Sequence, residues 1–393
     1  MLQCIGHSTS CYFLLQPTTR QRRSLTALLD VQRELYNAAL EERRGAWRWE
    51  RRYVTRFDQY LTLTSMREVR PDLLSWGVVV CRGTLARLDE AFRGFHRRYA
   101  RGDRPGFPRF KPTSRWNSVS WPDDAGWHLD CAAGRLYVQG VGNIRVRLHR
   151  PIAGVPKTLT IRREGRRWRV AVFSAEVPRR PLPPTGRVVG IDLGITNLIA
   201  TSEGHLVDNP RFGRQAAAQL AQAQVALARK QHWSKRRRKA VARVAACHHK
   251  IRNQRRDHAH KLSRQFVRDY DVIVREELAI ADMTLRPTPR PDGQGGYEPN
   301  RAAAKSGLNR SIHDAGWGQF LRFVAYKAEE AGRQVIAVDA RNTSRRCAHC
   351  GHIDGASRRG AVFRCTACRH TDQADVNAAC NILRAGLAQR PTA

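Results

Sequence analysis

Apolar residues recur at intervals of three and four in two N-terminal stretches. Leu25, Leu28, Leu29, Leu35, Tyr36, Ala39 and Leu40 mark the first, and Leu85, Leu88, Phe92 and Phe95 mark the second. That period gathers each set on one face of an α-helix and predicts two core-packing helices. Arg87, Arg93, Arg97 and Arg98 fall on the other faces of the second. A short strand, Tyr12 to Gln16, is expected before them, and the run Arg104-Pro105-Gly106-Phe107-Pro108-Arg109-Phe110-Lys111 ends the helical region. From Trp116 to Val177 the period becomes two. Ile144, Val146 and Leu148 alternate with Arg145, Arg147 and His149, and Trp168, Val170 and Val172 alternate beyond a turn at Glu164-Gly165. The expectation is a small antiparallel sheet or barrel with a basic outer face, either turned to nucleic acid or solvated.

Pro181, Pro183 and Pro184 form a linker to a second half that alternates strands and helices. Strands are expected at Arg187 to Asp192, Asn197 to Thr201, Asp271 to Arg275 and Gln334 to Val338. Helices are expected at Ser311 to Glu330 and Val376 to Ala385. Arg286 to Ser306, rich in Pro, Gly and Arg, reads as a long loop or lid. The longest apolar runs, such as Gly77 to Cys81, fall far short of the ~18 residues that span a bilayer, and no signal peptide is visible. A cytoplasmic protein is expected, nucleoid-associated when bound to DNA, with no membrane partner.

Charge narrows the class of partner. The 393 residues carry 70 Lys plus Arg against 34 Asp plus Glu, a net charge of +36, with 41% hydrophobic residues still available for cores. A folded protein this basic expects a polyanion, and an acidic small-molecule enzyme is a poor fit. Only nine of the cations are Lys, so a GC-rich genome accounts for part of the Arg excess but not for the shortage of carboxylates. From Asn209 to Arg256 there is no acid at all and there are 14 cations. Lys235, Arg236, Arg237, Arg238 and Lys239, with Arg255, Arg256 and Lys261, are therefore candidate contacts to a nucleic-acid backbone, a solvated charged face being the alternative.

Acids that end apolar strands are the candidate chemistry. Asp192 closes one strand, and Glu276 and Glu277 follow another, where their alternation lets only one of them point with Asp192. Asp375 precedes the last helix, where an N-cap is the structural alternative. Three such carboxylates suit a site for two Mg²⁺ ions that hydrolyses a phosphodiester. The cysteines point elsewhere: Cys4, Cys11, Cys81, Cys131, Cys247 and Cys380 are scattered, whereas Cys347/Cys350 and Cys365/Cys368 form two CxxC pairs 14 residues apart. Two such knuckles supply the four thiolates of one tetrahedral, structural Zn²⁺.

With these motifs in order the chain resembles the TnpB (OrfB) family of transposon-encoded proteins, related to the compact type V CRISPR effectors. The resemblance rests on Tyr36-Asn37-Ala38-Ala39-Leu40 and Pro108-Arg109-Phe110-Lys111. It continues through Gly190-Ile191-Asp192-Leu193-Gly194-Ile195, Asn253-Gln254-Arg255-Arg256-Asp257 with His260-Lys261, and Ile273-Val274-Arg275-Glu276. Asp314-Ala315-Gly316-Trp317, Thr343-Ser344, the CxxC pairs and Asp375-Val376-Asn377-Ala378-Ala379 complete it. Arg369, after the second CxxC, stands where a glycine is more usual.

The resemblance implies a multi-domain α+β protein: an N-terminal β-barrel with a helical insertion, then a RuvC-type, RNase H-like α/β nuclease domain carrying a zinc-ribbon insertion. The implied division is 1–20 and 113–184 for the barrel, 21–112 for the helical insertion, 185–342 and 371–393 for the nuclease, and 343–370 for the ribbon. It selects Asp192, Glu276 and Asp375 as the Mg²⁺-binding triad, and implies a guide RNA and target double-stranded DNA as partners, with one monomer per guide. The implied activity is an RNA-guided DNA endonuclease of a transposon. The alternatives are a compact type V CRISPR effector, an RNA-guided binder that does not cut, and a strand-transferring transposase.

Overall fold

A computed structural model describes residues 7–389, and Cys4 lies outside them. The chain divides into two units, Met1–Pro178 and Arg179–Ala393. Among the described residues no helix is long and apolar enough to cross a membrane.

The first unit starts with strand β1 (His7–Gln16) and continues with helices α1 (Thr19–Glu50), α2 (Arg56–Val69) and α3 (Val78–Ala100). Six strands follow: β2 (Ser118–Trp121), β3 (Trp127–Asp130), β4 (Arg135–Val138), β5 (Gly142–Arg147), β6 (Val155–Glu164) and β7 (Arg167–Val177). They join β1 in one antiparallel sheet of order β2-β6-β7-β1-β5-β4-β3, with β2 and β3 at its edges. Gly165, at φ +61°, makes the tight β6–β7 turn possible. The apolar stripes of α1 and α3 and the inward residues of the sheet, such as Phe13, Trp121, Ile144 and Val170, are buried in one shared core. The change of period near residue 112 is therefore a change of element within a single core.

Helix α2 has no counterpart in the hydrophobic pattern, because only Gln59 and Leu63 of its 14 residues are buried. Its signal is at its start. The Thr55 hydroxyl accepts from the Asp58 N–H while the Asp58 carboxylate accepts from the Thr55 N–H, which is a capping box.

The second unit is built on a five-stranded sheet of order β10-β9-β8-β11-β12. Its strands are β8 (Val188–Leu193), β9 (Asn197–Thr201), β10 (Leu206–Asp208), β11 (Val272–Glu276) and β12 (Gln334–Val338). β8, β11 and β12 run parallel, and β9 and β10 are antiparallel to their neighbours. Between β10 and β11 lie α4 (Phe212–Gln215), α5 (Ala217–Ala228) and α6 (Lys235–Asp269). From Ile251 onward α6 is buried through Ile251, Ala259, Leu262, Phe266 and Val267, whereas Lys235 to Lys250, with the basic block, includes no buried residue.

After β11 come α7 (Ile280–Met283), α8 (Ala302–Ala315) and α9 (Trp317–Ala331). The single helix expected over Ser311 to Glu330 is thus two. Gly316, at φ +71°, is both the left-handed cap that ends α8 and the residue that starts α9. The expected loop is also shorter, because α8 begins at Ala302. A small three-stranded sheet, β13 (Arg358–Arg359), β14 (Val362–Arg364) and β15 (Thr371–Gln373), surrounds the paired cysteines, and α10 (Ala374–Ala388) closes the described chain.

The two faces of the five-stranded sheet are covered by different helices. Val189, Ile191 and Ile273 pack with α6 and α9, and Val272 and Val274 pack with Ile382 of α10. α10 lies very close to β8. A Cβ added at Gly190 would stand 2.2 Å from the Ala379 carbonyl oxygen, so a glycine there allows the backbones to touch.

Candidate active site and metal centre

Strand parity decides where the acids point. Val188 and Gly190 of β8 face α10, and Asp192, two residues on, continues that face at the strand's end. On β11, Val272 and Val274 face α10 and Glu276 continues them, while Glu277 is exposed. Arg275 pairs with Ile191 across the parallel strands, so Asp192 and Glu276 are the next residues along two adjacent strands. Asp375 lies in the first turn of α10, packed over the same face.

Asp375 is not the N-cap. The Gln373 side chain takes that place, its Oε1 accepting from the Asp375 and Val376 N–H groups at 2.7 and 2.8 Å. The Asp375 carboxylate is thereby free for other partners. It accepts from the Arg358 guanidinium at 2.8 Å and from Gln373 Nε2 at 3.4 Å.

The electrostatics are those of acids crowded without enough positive charge. Burial, then the neighbouring Glu276 and Asp375 carboxylates, push the Asp192 pKa up to about 7, and Arg358 opposes the shift. Burial also raises Glu276, against the pull of the Thr343 hydroxyl, which donates to Glu276 Oε1 at 2.5 Å, and of Arg358. A divalent cation bound by these hard oxygen donors would relieve that repulsion, and their chemistry suits Mg²⁺. They form a looser set than the thiols. Among the described residues, the four cysteines are the group of three or more such ligands whose donor atoms all lie within 4.8 Å of one another.

Cys347 and Cys368 bring their Sγ atoms to 3.7 Å, and Cys350 and Cys365 to 3.6 Å. A tetrahedron with Zn–S of about 2.3 Å has edges of about 3.8 Å, so the thiols already stand at the spacing of a Zn²⁺ shell. The Cys368 N–H donates to Cys365 Sγ at 3.4 Å and lowers that thiol's pKa, which favours the ligating thiolate.

Two buried asparagines of α10 tie this module to the sheet. Asn381 Nδ2 donates to the Thr343 and Arg346 carbonyls at 3.0 and 2.7 Å. Asn377 donates to the Arg346 carbonyl and accepts from the Ala348 N–H, both at 2.8 Å. The run Asp375-Val376-Asn377-Ala378-Ala379-Cys380-Asn381 therefore supplies one acid and two clamps from successive turns of one helix. Thr343 belongs to a motif that carries the resemblance but has no role assigned by it, whereas nothing in the sequence marks Arg358 or Gln373 as site residues. Arg358 in particular is one of 61 arginines and carries no motif of its own.

The candidate backbone contacts lie apart in character. Lys235, Arg236, Arg238 and Lys239 are exposed at the start of α6. Arg237 instead reaches the Leu227 and Lys230 carbonyls at 3.4 and 3.5 Å, bracing the turn between α5 and α6. Arg255 is held by Asp314 at 2.6 Å, and Asp314 also accepts from the Gly213 and Arg214 N–H groups. Lys261 pairs with Asp257 at 2.8 Å on an exposed helix face, and Arg256 lies one residue before that acid.

The chain is similar to known proteins over most of its length. A family profile described as "Probable transposase" (OrfB of IS605) matches residues 172–286, and one described as "Cas12f1-like, TNB domain" matches residues 317–382. An Escherichia coli K12 protein named "Putative RNA-guided DNA endonuclease InsQ" is 34% identical over 78% of this chain and 73% of its own length. A Streptomyces pristinaespiralis protein, also named "Putative RNA-guided DNA endonuclease", is 31% identical over 95% of this chain and 88% of its own. A "CRISPR-associated endodeoxyribonuclease Cas12f1" from Sulfoacidibacillus thermotolerans is 29% identical over 55% and 50%. With relatives this similar across most of both lengths, the chain belongs to the TnpB (OrfB) family.

Proposed function

We propose that the protein is an RNA-guided DNA endonuclease of a transposon, cutting beside a short motif read on the target duplex. The observation that carries this is the convergence of Asp192, Glu276 and Asp375 on one face of the five-stranded sheet, with Asp192 pushed up to about 7 by its burial and its two acidic neighbours. The strand order and directions support an RNase H-like, RuvC-type reading of that sheet, and the seven-stranded sheet is read as the barrel split by α1–α3. Two Mg²⁺ ions held by the three carboxylates would supply a polarised water and charge stabilisation at the scissile phosphate. The protein's own residues do the positioning. Thr343 orients Glu276, Gln373 caps α10 and frees Asp375, and Arg358 places a guanidinium among the acids. One Zn²⁺ on Cys347, Cys350, Cys365 and Cys368 has a full shell and a structural role. Guide RNA pairing reads the target sequence, while the protein contacts the backbone and the flanking motif.

The test is to purify the full chain with the RNA that accompanies it, sequence that RNA, and challenge the complex with matched plasmids carrying randomised flanks in Mg²⁺. Cleavage beside one enriched motif, lost at least 100-fold in Asp192→Ala and Asp375→Ala, is the expected result. Target binding without cleavage would convert the reading to a guided binder, and absence of any discrete RNA would remove the guide.

A further inference from the structure

We infer that the first unit carries a stacking pocket for unpaired bases of single-stranded RNA, at the C-terminal ends of α1 and α3. This rests on the guide-RNA reading above for its biological source, but not for its geometry. An open cavity of about 720 Å³ lies between the last turns of the two helices. Its aromatic lining is turned outward: Trp49 is 77% exposed, Tyr99 72%, Tyr53 60% and Trp47 56%. Three phenylalanines cluster beneath them. Phe92 is buried and meets Phe107 edge to face at 5.5 Å, and Phe95 meets Phe107 at 5.4 Å.

Four large aromatics exposed around one cavity cost solvation unless something covers them. The cations around them say what that is. Arg48 lies 4.9 Å from the Trp49 ring centre and Arg51, beside the cavity, 5.9 Å from that of Trp47; Arg44 and Arg52 line the cavity with Arg48, Arg52 pairing with Glu50 at 2.8 Å. Exposed aromatic rings with guanidinium groups lying over them are the combination that stacks bases and neutralises the phosphates between them. A second copy of this chain is a poor occupant, because two surfaces of the same sign on molecules of net charge +36 repel.

The choice of RNA over DNA rests on Glu41, which shares this rim and is 3.8 Å from Arg44. A carboxylate repels phosphate but accepts a hydrogen bond from a ribose 2′-hydroxyl, which DNA lacks. Folded RNA also presents splayed loop bases before any target is opened, whereas a DNA duplex does not.

The test measures binding of fluorescein-labelled 12-mer RNA and DNA of one unstructured sequence to the full chain by anisotropy, across a salt series. Trp49→Ala and Tyr99→Ala are expected to weaken RNA binding roughly 5- to 100-fold each, with the salt slope unchanged. Trp49→Phe is expected to restore most of the loss, and Glu41→Gln to narrow the preference for RNA over DNA. The side chains replaced are exposed, and melting curves of the variants check that the core is intact. Wild-type RNA affinity in the folded Trp49→Ala/Tyr99→Ala double variant would overturn the pocket. Equal binding of the DNA 12-mer would overturn its assignment to RNA, and a protein dimer dissolved by Trp49→Ala would assign it to a second copy. These readouts need neither guide nor cleavage. A protein that stacks RNA and cuts nothing keeps this inference and loses the nuclease, and guided cutting with unchanged RNA binding in the double variant does the reverse.

Discussion

Asp192 shows how far a single residue can be read from sequence and where reading stops. An acid at the end of the apolar run Val188-Val189-Gly190-Ile191 is an anomaly that asks for a partner, and that much is written in the chain. Which of Glu276 and Glu277 joins it is settled by strand parity, once Val272 and Val274 are known to face α10. Arg358 could not be foreseen, because its position depends on how the cysteine module folds back against α10. The Asp192 shift has a measurable sign. Its folded pKa is about 7 against an ordinary value of 3.8, so the folded state holds a proton through that window and this group's contribution to stability falls as pH rises from 4 to 7. In protein free of Mg²⁺ and Mn²⁺, Asp192→Asn is therefore expected to raise the melting temperature at pH 8, by roughly 2–4 °C for each kcal/mol of relieved repulsion, and to change little at pH 3.5. Mg²⁺ or Mn²⁺ is expected to stabilise the wild type more at pH 8 than at pH 5.5, because protons compete for the same carboxylate. A metal-induced shift independent of pH, or unaltered in Asp192→Asn, would remove Asp192 from the ion's ligands.

At the scale of elements, hydrophobic period served well wherever a face is buried. The stripes of α1 and α3, the alternation in β5 and β7 and the strands β9 and β12 were all legible. The misreadings occur where burial does not write the pattern. Helix α2 buries two residues and is announced only by its cap, and the α8–α9 break depends on the backbone freedom of Gly316. Gly190 is the element-scale feature with the sharpest consequence. It reads as part of a strand, yet its missing side chain is what lets α10, and with it Asp375, Asn377 and Asn381, settle on the sheet. Gly190→Ala places a Cβ against backbone that cannot rotate away, so α10 must shift, and a destabilisation of about 1–3 kcal/mol is expected. Urea denaturation measures that loss. The same variant should lose target cleavage at least 10-fold at temperatures where it remains folded, while its RNA affinity stays within about twofold. Cleavage at the wild-type rate would mean that α10 tolerates displacement and that Asp375 is not held by this contact.

For the molecule as a whole, the cations behind the charge of +36 divide into two structural kinds. Some cations are internal fasteners: Arg255 is committed to Asp314, Arg237 to the α5–α6 turn and Arg358 to Asp375. Others stand exposed where α6 leaves its core, and it is these that can exchange counterions for phosphates. Counterion release makes this division testable, since each phosphate contact contributes about 0.7–0.9 to the slope of log affinity against log salt. Replacing Lys235, Arg236, Arg238 and Lys239 together by Gln should make the slope for the accompanying RNA less negative by about 3 and weaken binding most at low salt. It should leave the melting temperature nearly unchanged, because none of the four is buried. Arg255→Gln should behave in the opposite way, lowering thermal stability by freeing Asp314 from its strongest partner and moving the slope by less than one contact. If the quadruple variant keeps the wild-type slope, the acid-free stretch is a solvated face after all. The phosphates that balance this chain's charge must then be met elsewhere, with the basic strands and the α1–α3 arginines of the first unit as the next candidates.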